Sequence, residues 1–194
     1  MDYSEIFKKC IKGDKRLEEA LELIRQNSKG RIWLVGGYVF RNLAHALYGT
    51  PKPNGCDFDF VAEELTETNL LPGWRVKQNT YGSPKFYKGT LTIDLWPLKD
   101  TKSIIRRKLE PTIENFLTGV SFTVQSIAYD LCQSKIIGEI GIRALETKTI
   151  DIHDLEDLET YTNKRGIATE DYIREKFNDW KPLNFENRCM AIPK

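Results

Sequence analysis

The order of a short apolar run, a glycine pair and an Asp-x-Asp constrains this chain more than any other feature. Residues 31–35 (RIWLV) read as a buried strand and Gly36 and Gly37 as the turn that closes it. Residues 38–48 read as a helix with Val39, Leu43 and Leu47 on one side. About twenty residues after the glycines comes a second strand, 56–62, containing Asp57 and Asp59. Alternate residues of a strand project to one face, so the two aspartates point together while Cys56, Phe58 and Phe60 point into a core. The stretch 90–96 divides the same way, with Leu91, Ile93 and Leu95 on one face and Thr92 and Asp94 on the other. If these strands are neighbours, Asp94 joins the pair and three carboxylates share one patch of sheet.

Three carboxylates close together repel, and the cluster is costly unless a cation accompanies it. Hard oxygen donors in this arrangement suit Mg²⁺ or Mn²⁺, ions that keep waters and bridge to substrate phosphates. Two such metals activate an attacking hydroxyl and neutralise a leaving pyrophosphate, with Asp94 placed to accept the hydroxyl's proton. Gly36 and Gly37 supply the other half: they let backbone approach a triphosphate closely, and the amides opening the helix at Tyr38 form an anion site. The candidate site is therefore Asp57, Asp59 and Asp94 as catalytic and metal-ligating residues, with Gly36 and Gly37 as nucleotide-binding residues. Other phosphate motifs are absent from the sequence: there is no GxxxxGK[ST] and no GxGxxG. The GEIG at 138–141 reads as a strand-to-helix turn.

Around this centre the pattern predicts a helix over 3–11, broken at Gly13, and a helix over 14–27 with Asp14 as N-cap. Pro51, Pro53, Asn54 and Gly55 form a loop into the Asp-x-Asp strand. Strands are expected at 74–78 and 85–88, the latter joined to 90–96 by a hairpin at Lys88 and Gly89. Helical patterns follow at 101–109 and 111–117, an apolar segment at 122–129, a strand at 135–138, and helices over 153–161 and 169–178. The fold class is α+β (α/β), a small mixed sheet with helices packed on one side and a helical C-terminal segment. Residues 1–150 are expected to form the catalytic domain and 151–194 a helical appendage.

At 194 residues, 40% of them hydrophobic, the chain can bury a sizeable core. No apolar stretch approaches the roughly 20 residues that span a membrane, and the N-terminus is too polar and acidic for a signal peptide. Cys10, Cys56, Cys132 and Cys189 lack CxxC spacing and the two histidines stand apart, which argues against zinc and a disulfide framework and for a reducing, cytoplasmic protein. A net charge of +1 gives no global pull toward nucleic acid. The clearest local patch, Lys99, Lys102, Arg106, Arg107 and Lys108, is partly offset by Asp151, Asp154, Glu156, Asp157 and Glu159, and reads first as a solvated helix face and second as a phosphate contact. Tyr81, Phe86, Tyr87, Trp96 and Trp180 could stack on bases, but most read first as core or rim packing, and Trp96, two residues after Asp94, is the choice of nucleobase neighbour.

Taken in order, these segments resemble the head domain of the CCA-adding enzyme and bacterial poly(A) polymerase family, in the polymerase-β-like nucleotidyltransferase superfamily. LVGGxV at 34–39 is similar to the opening motif, Asp57-x-Asp59 to the metal pair, TIDL at 92–95 to the strand bearing the third acid, and FTVQSIAYD at 122–130 to a DFTINALAYD segment. The resemblance covers roughly 30–150. It implies a nucleotidyltransferase fold and transfer of a nucleoside monophosphate from an NTP, with pyrophosphate released, to an acceptor hydroxyl such as an RNA or tRNA 3′ end.

The chain also departs from that pattern. Phe40, Arg41 and Asn42 stand where Arg-Asp follows the glycines, so Arg41 either substitutes one position along as a nucleotide-binding residue or faces solvent. Gly119, Val120 and Ser121 replace Arg-Arg-Asp, Gln125 replaces Asn, and Ala144 replaces the later Asp. Glu170, Asp171 and Arg174 match an EDxxR base-reading element in letters, with a capped helix and an i,i+3 ion pair as the simpler account. These departures keep a second reading open, a non-catalytic nucleotide-binding or scaffold protein on the same fold, beside a third in which an unrelated α/β domain carries the motifs by coincidence.

Overall fold

The computed structural model describes residues 1–53, 56–79, 82–177 and 180–182, so Asn54, Gly55, Tyr81 and Cys189 lie outside the described residues. Asp2 and Asp14 cap the first two helices, α1 (Tyr3–Ile11) and α2 (Lys15–Gln26), each accepting two backbone amides. Strand β1 (Ser28–Val35) and helix α3 (Gly37–Tyr48) follow, then β2 (Asp57–Leu65), β3 (Arg75–Gln78), β4 (Pro84–Lys88) and β5 (Leu91–Pro97). Two short helices, α4 (Lys102–Arg107) and α5 (Ile113–Leu117), precede β6 (Ala128–Asp130) and β7 (Lys135–Ile137). The chain then runs through α6 (Glu139–Thr147), β8 (Thr149–Ile150), α7 (Leu155–Arg165), α8 (Thr169–Phe177) and β9 (Lys181–Pro182).

Strands β1 to β7 form one mixed sheet in the order β3-β4-β5-β2-β1-β6-β7. Only β2 and β5 pair in parallel within it, with Asp57 opposite Thr92 and Asp59 opposite Asp94. The predicted hairpin is present, Lys88 pairing with Leu91 across Gly89, whose φ of +58 suits glycine. Alternation decides which face is buried. Leu34, Phe58, Phe60, Ile93 and Leu95 turn to a main core shared with Phe7, Leu23, Ile24, Val39 and Leu43 of the long helices. Leu158, Tyr172 and Phe177 of α7 and α8 enter the same core. The opposite face is partly covered where Trp33, Val35 and Val61 pack with Leu98, Ile113 and Leu117; of the aspartates on this face Asp57 is exposed, Asp59 half-buried and Asp94 buried.

For two of the aromatics the structure agrees with core or rim packing. Phe86 is fully buried in the main core and cannot stack on a base. Trp180 is not a free platform either, since it meets Phe40 and Phe177 edge-on at 6.4 Å. Among the described residues no helix is long and apolar enough to cross a membrane.

Candidate active site

Strand β1 ends at Val35, which lies opposite Asp59, so the chain leaves the sheet beside the carboxylates. Gly36 makes that exit with φ +72 and no room for a side chain: a Cβ there would sit 2.8 Å from Asp59 Oδ2. Both facts require glycine, because an L residue is strained at this φ and would collide with the carboxylate. Helix α3 starts at the next residue, and no side chain caps its first turn. Its N-terminal amides, the positive end of the helix dipole, thus open beside Asp59. Arg41, one turn on, is exposed, and its guanidinium carbon is 3.8 Å from the position a Gly37 Cβ would take.

On the sheet, Asp59 and Asp94 are register partners, and Asp57 lies one pleat away on the same face. Burial and the charges of Asp57 and Asp94 push the Asp59 carboxyl up to about 7, against the opposing pull of Lys85. Asp57 accepts a hydrogen bond from the Thr92 hydroxyl. Asp94, 8% exposed, accepts one from the Lys85 ammonium of β4. Desolvation pulls that ammonium down, but the hydrogen bond to Asp94 with the charges of Asp94 and Asp57 outweighs it and raises Lys85 above the ordinary lysine range. The sequence reading missed Lys85. Counting back from the Lys88–Leu91 hairpin end places it opposite Asp94, so the signal was present.

Among the described residues no three His, Cys, Asp or Glu side chains are arranged as a metal cage. The donor set nevertheless fits a hard cation: two paired carboxylates with a third one pleat away, the middle one reluctant to ionise, and a lysine cation already resting on Asp94. Trp96 shares the face of Asp94 but is half-buried against Val61, Leu98 and Ile113. A cavity of about 710 Å³, lined by residues including Leu65, Ser83, Pro97, Ile105, Arg106 and Asp157, contains none of the three aspartates. That cavity lies away from the carboxylates, and the charged groups converge instead on the sheet face that carries Asp57, Asp59 and Asp94.

Sequence comparison finds no matching family model and no matching curated protein. Solved structures do match. A CCA-adding enzyme in complex with CTP superposes with a TM-score of 0.59 at 18% identity, over 97% of this chain and 44% of that one. The Thermotoga maritima CCA-adding enzyme complexed with tRNA gives 0.57 at 19% identity, over 97% and 44%. An apo CCA-adding enzyme gives 0.59 at 17% identity, over 97% and 46%. The fold is that of the CCA-adding enzyme head domain. At these identities the likeness is one of fold, and the chain spans less than half the length of the structures it matches.

The departures from the CCA-adding motif have structural causes. Phe40 is 3% exposed and stacks on Phe177 at 6.0 Å, so the side chain at the expected arginine position anchors α8. At Gly119 a Cβ would lie 2.2 Å from the Ser103 Cβ of α4, which leaves no space for an arginine. Ser121 donates to Asp157 at 2.5 Å, and Gln125 Oε1 accepts from the Phe122 amide at 3.2 Å, so both are spent on local structure. Arg174 and Asp171 form an exposed i,i+3 pair at 3.6 Å. In the basic patch, Arg106 is held in a largely buried ion pair with Asp154 and also bonds Glu156, while Arg107 bonds Thr118.

Proposed function

We propose that this chain is a nucleotidyltransferase that moves a nucleoside monophosphate from an NTP to an acceptor hydroxyl, releasing pyrophosphate. One observation carries the reading: the Gly36 backbone packs against Asp59, which pairs in register with Asp94, so the opening of helix α3 and the carboxylates form one site. Asp57, Asp59 and Asp94 would hold Mg²⁺ or Mn²⁺, which supplies Lewis-acid activation of the hydroxyl and neutralises the leaving phosphates. The α3 amides and the Gly36–Gly37 backbone receive the triphosphate. Arg41, exposed beside Gly37, adds a cation at its edge. The acceptor oxygen attacks the α-phosphorus, the bond to the bridging oxygen breaks with its electron pair leaving on pyrophosphate, and Asp94 takes the hydroxyl proton.

An RNA 3′ end is the acceptor class we favour, because two of the matching structures are complexes of CCA-adding enzymes with CTP and with tRNA. The decisive assay incubates the protein with Mg²⁺ or Mn²⁺, each labelled NTP in turn, and total RNA, beside an Asp57→Ala/Asp59→Ala control. Label in RNA that depends on the aspartates supports the proposal. Absence of label in RNA and in the protein, with no pyrophosphate released, moves the reading to a nucleotide-binding scaffold. That second reading draws on Gly119 and Gln125, whose surroundings tie them to local packing.

A further inference from the structure

Phe86 of β4 turns into the main core, so its neighbour Lys85 turns to the face that carries the aspartates. The pairing places Asp59 of β2, Asp94 of β5 and Lys85 of β4 side by side across three adjacent strands. The Lys85 ammonium bonds Asp94 Oδ2, with side-chain exposures of 27% and 11%. A strand position facing repelling carboxylates is thus filled by the one side chain type that combines a compact positive charge with a flexible four-carbon stem.

We propose that Lys85 is the resident counter-ion of the carboxylate cluster and makes divalent-cation binding there conditional on the nucleotide. The inference rests on the metal and NTP reading above. An incoming divalent cation competes with the ammonium for Asp94, which weakens metal uptake by the protein alone. The triphosphate then offers the displaced ammonium a new anionic partner. The stem swings without any change in the strand, because only side-chain torsions need alter. Metal and nucleotide therefore bind cooperatively, and by linkage each tightens the other by the same factor. The ammonium also offsets part of the repulsion among the carboxylates between turnovers.

The test is Mn²⁺ binding, read from the paramagnetic resonance of free Mn²⁺, with and without a non-hydrolysable α,β-methylene ATP. The proteins compared are wild type, Lys85→Met, Lys85→Gln and Asp94→Asn, each checked for its melting temperature. Chelation of Mn²⁺ by the nucleotide is common to all, so differences between proteins isolate the coupling. Without nucleotide, Lys85→Met and Lys85→Gln should bind Mn²⁺ about tenfold tighter than wild type, the size expected for losing one partly buried competing charge. Nucleotide should tighten Mn²⁺ binding by a factor about tenfold larger in wild type than in either variant. In the wild-type protein, Mg²⁺ should also shift the Lys85 side-chain ¹Hε–¹³Cε resonance, a readout that needs no variant to fold. Equal Mn²⁺ affinity in wild type and the Lys85 variants, or saturation with Mg²⁺ that leaves the Lys85 resonance in place, overturns the counter-ion role while leaving the metal reading intact. Absence of Mn²⁺ binding from every protein, with and without nucleotide, overturns the metal reading and this inference with it.

Discussion

Replacing Asp59 with asparagine removes a charge from a site where burial, Asp57 and Asp94 all oppose it. The carboxyl is raised from 3.8 to about 7. At about 1.4 kcal/mol per unit, the full shift corresponds to a ceiling of about 4 kcal/mol against the folded state. Asp59 is part-buried and not sealed, so solvent screening reduces this to about 1–2 kcal/mol. The sign follows from linkage: the folded state holds the proton more tightly than the unfolded one. The penalty is absent below the unfolded value of 3.8, grows as pH rises, and is complete above about 7. Asp59→Asn therefore melts about 2–8 °C above wild type at pH 8, taking about 2–4 °C per kcal/mol for a domain of this size. The gap narrows toward pH 5, while nucleotidyl transfer is lost throughout. Scanning calorimetry at pH 5, 6, 7 and 8 checks this. A variant less stable than wild type at pH 8, or a gap that does not change with pH, refutes the argument that Asp59 is an electrostatic burden kept for a function.

Gly36→Ala should lose about 2–3 kcal/mol in denaturant melts, from the positive φ and the Asp59 contact together, whereas Gly49→Ala, with a similar φ and open space around it, should lose about 1 kcal/mol. Gly119→Arg, which restores a family-like arginine, should destabilise by about 2 kcal/mol or more in the same melts and should not raise turnover, because α4 occupies the space. Arg31→Met leaves the fully buried Asp130 carboxylate without its cation and should cost about 1–2 kcal/mol by thermal melting at pH 7. Burial pulls Asp130 up, but the Gln133 amide and Arg31 outweigh it and hold the carboxylate below 3.8, so its stabilising effect is present above that pH and is lost as pH falls through the folded value.

The candidate site was legible in the sequence to the extent that it follows from local periodicity. Alternation alone told which faces Asp57, Asp59 and Asp94 share, since a strand's side chains have a period of two whatever surrounds it. Asp14 as a cap, Gly89 as a hairpin turn and Gly138 before a helix were readable for the same reason: each is a conformational demand met by residues within a few positions. Periodicity did not show that Phe86 is buried completely or that Phe40 anchors α8, because burial depends on which distant segment covers a side chain. One helix boundary shifted for a local reason: the helix expected from 153 runs Leu155–Arg165, starting where Asp154 caps it.

By itself, then, the sequence determined the strand–glycine–helix order and the faces of the three aspartates. Those properties depend on backbone sterics and the strand repeat, which neighbouring residues settle. Only the tertiary structure decided that β2 and β5 pair in parallel with Asp59 beside Asp94, that α4 closes the space at Gly119, and that Lys85 rests on Asp94. These are contacts between segments far apart in the chain, and which of them form is set by packing of the whole core.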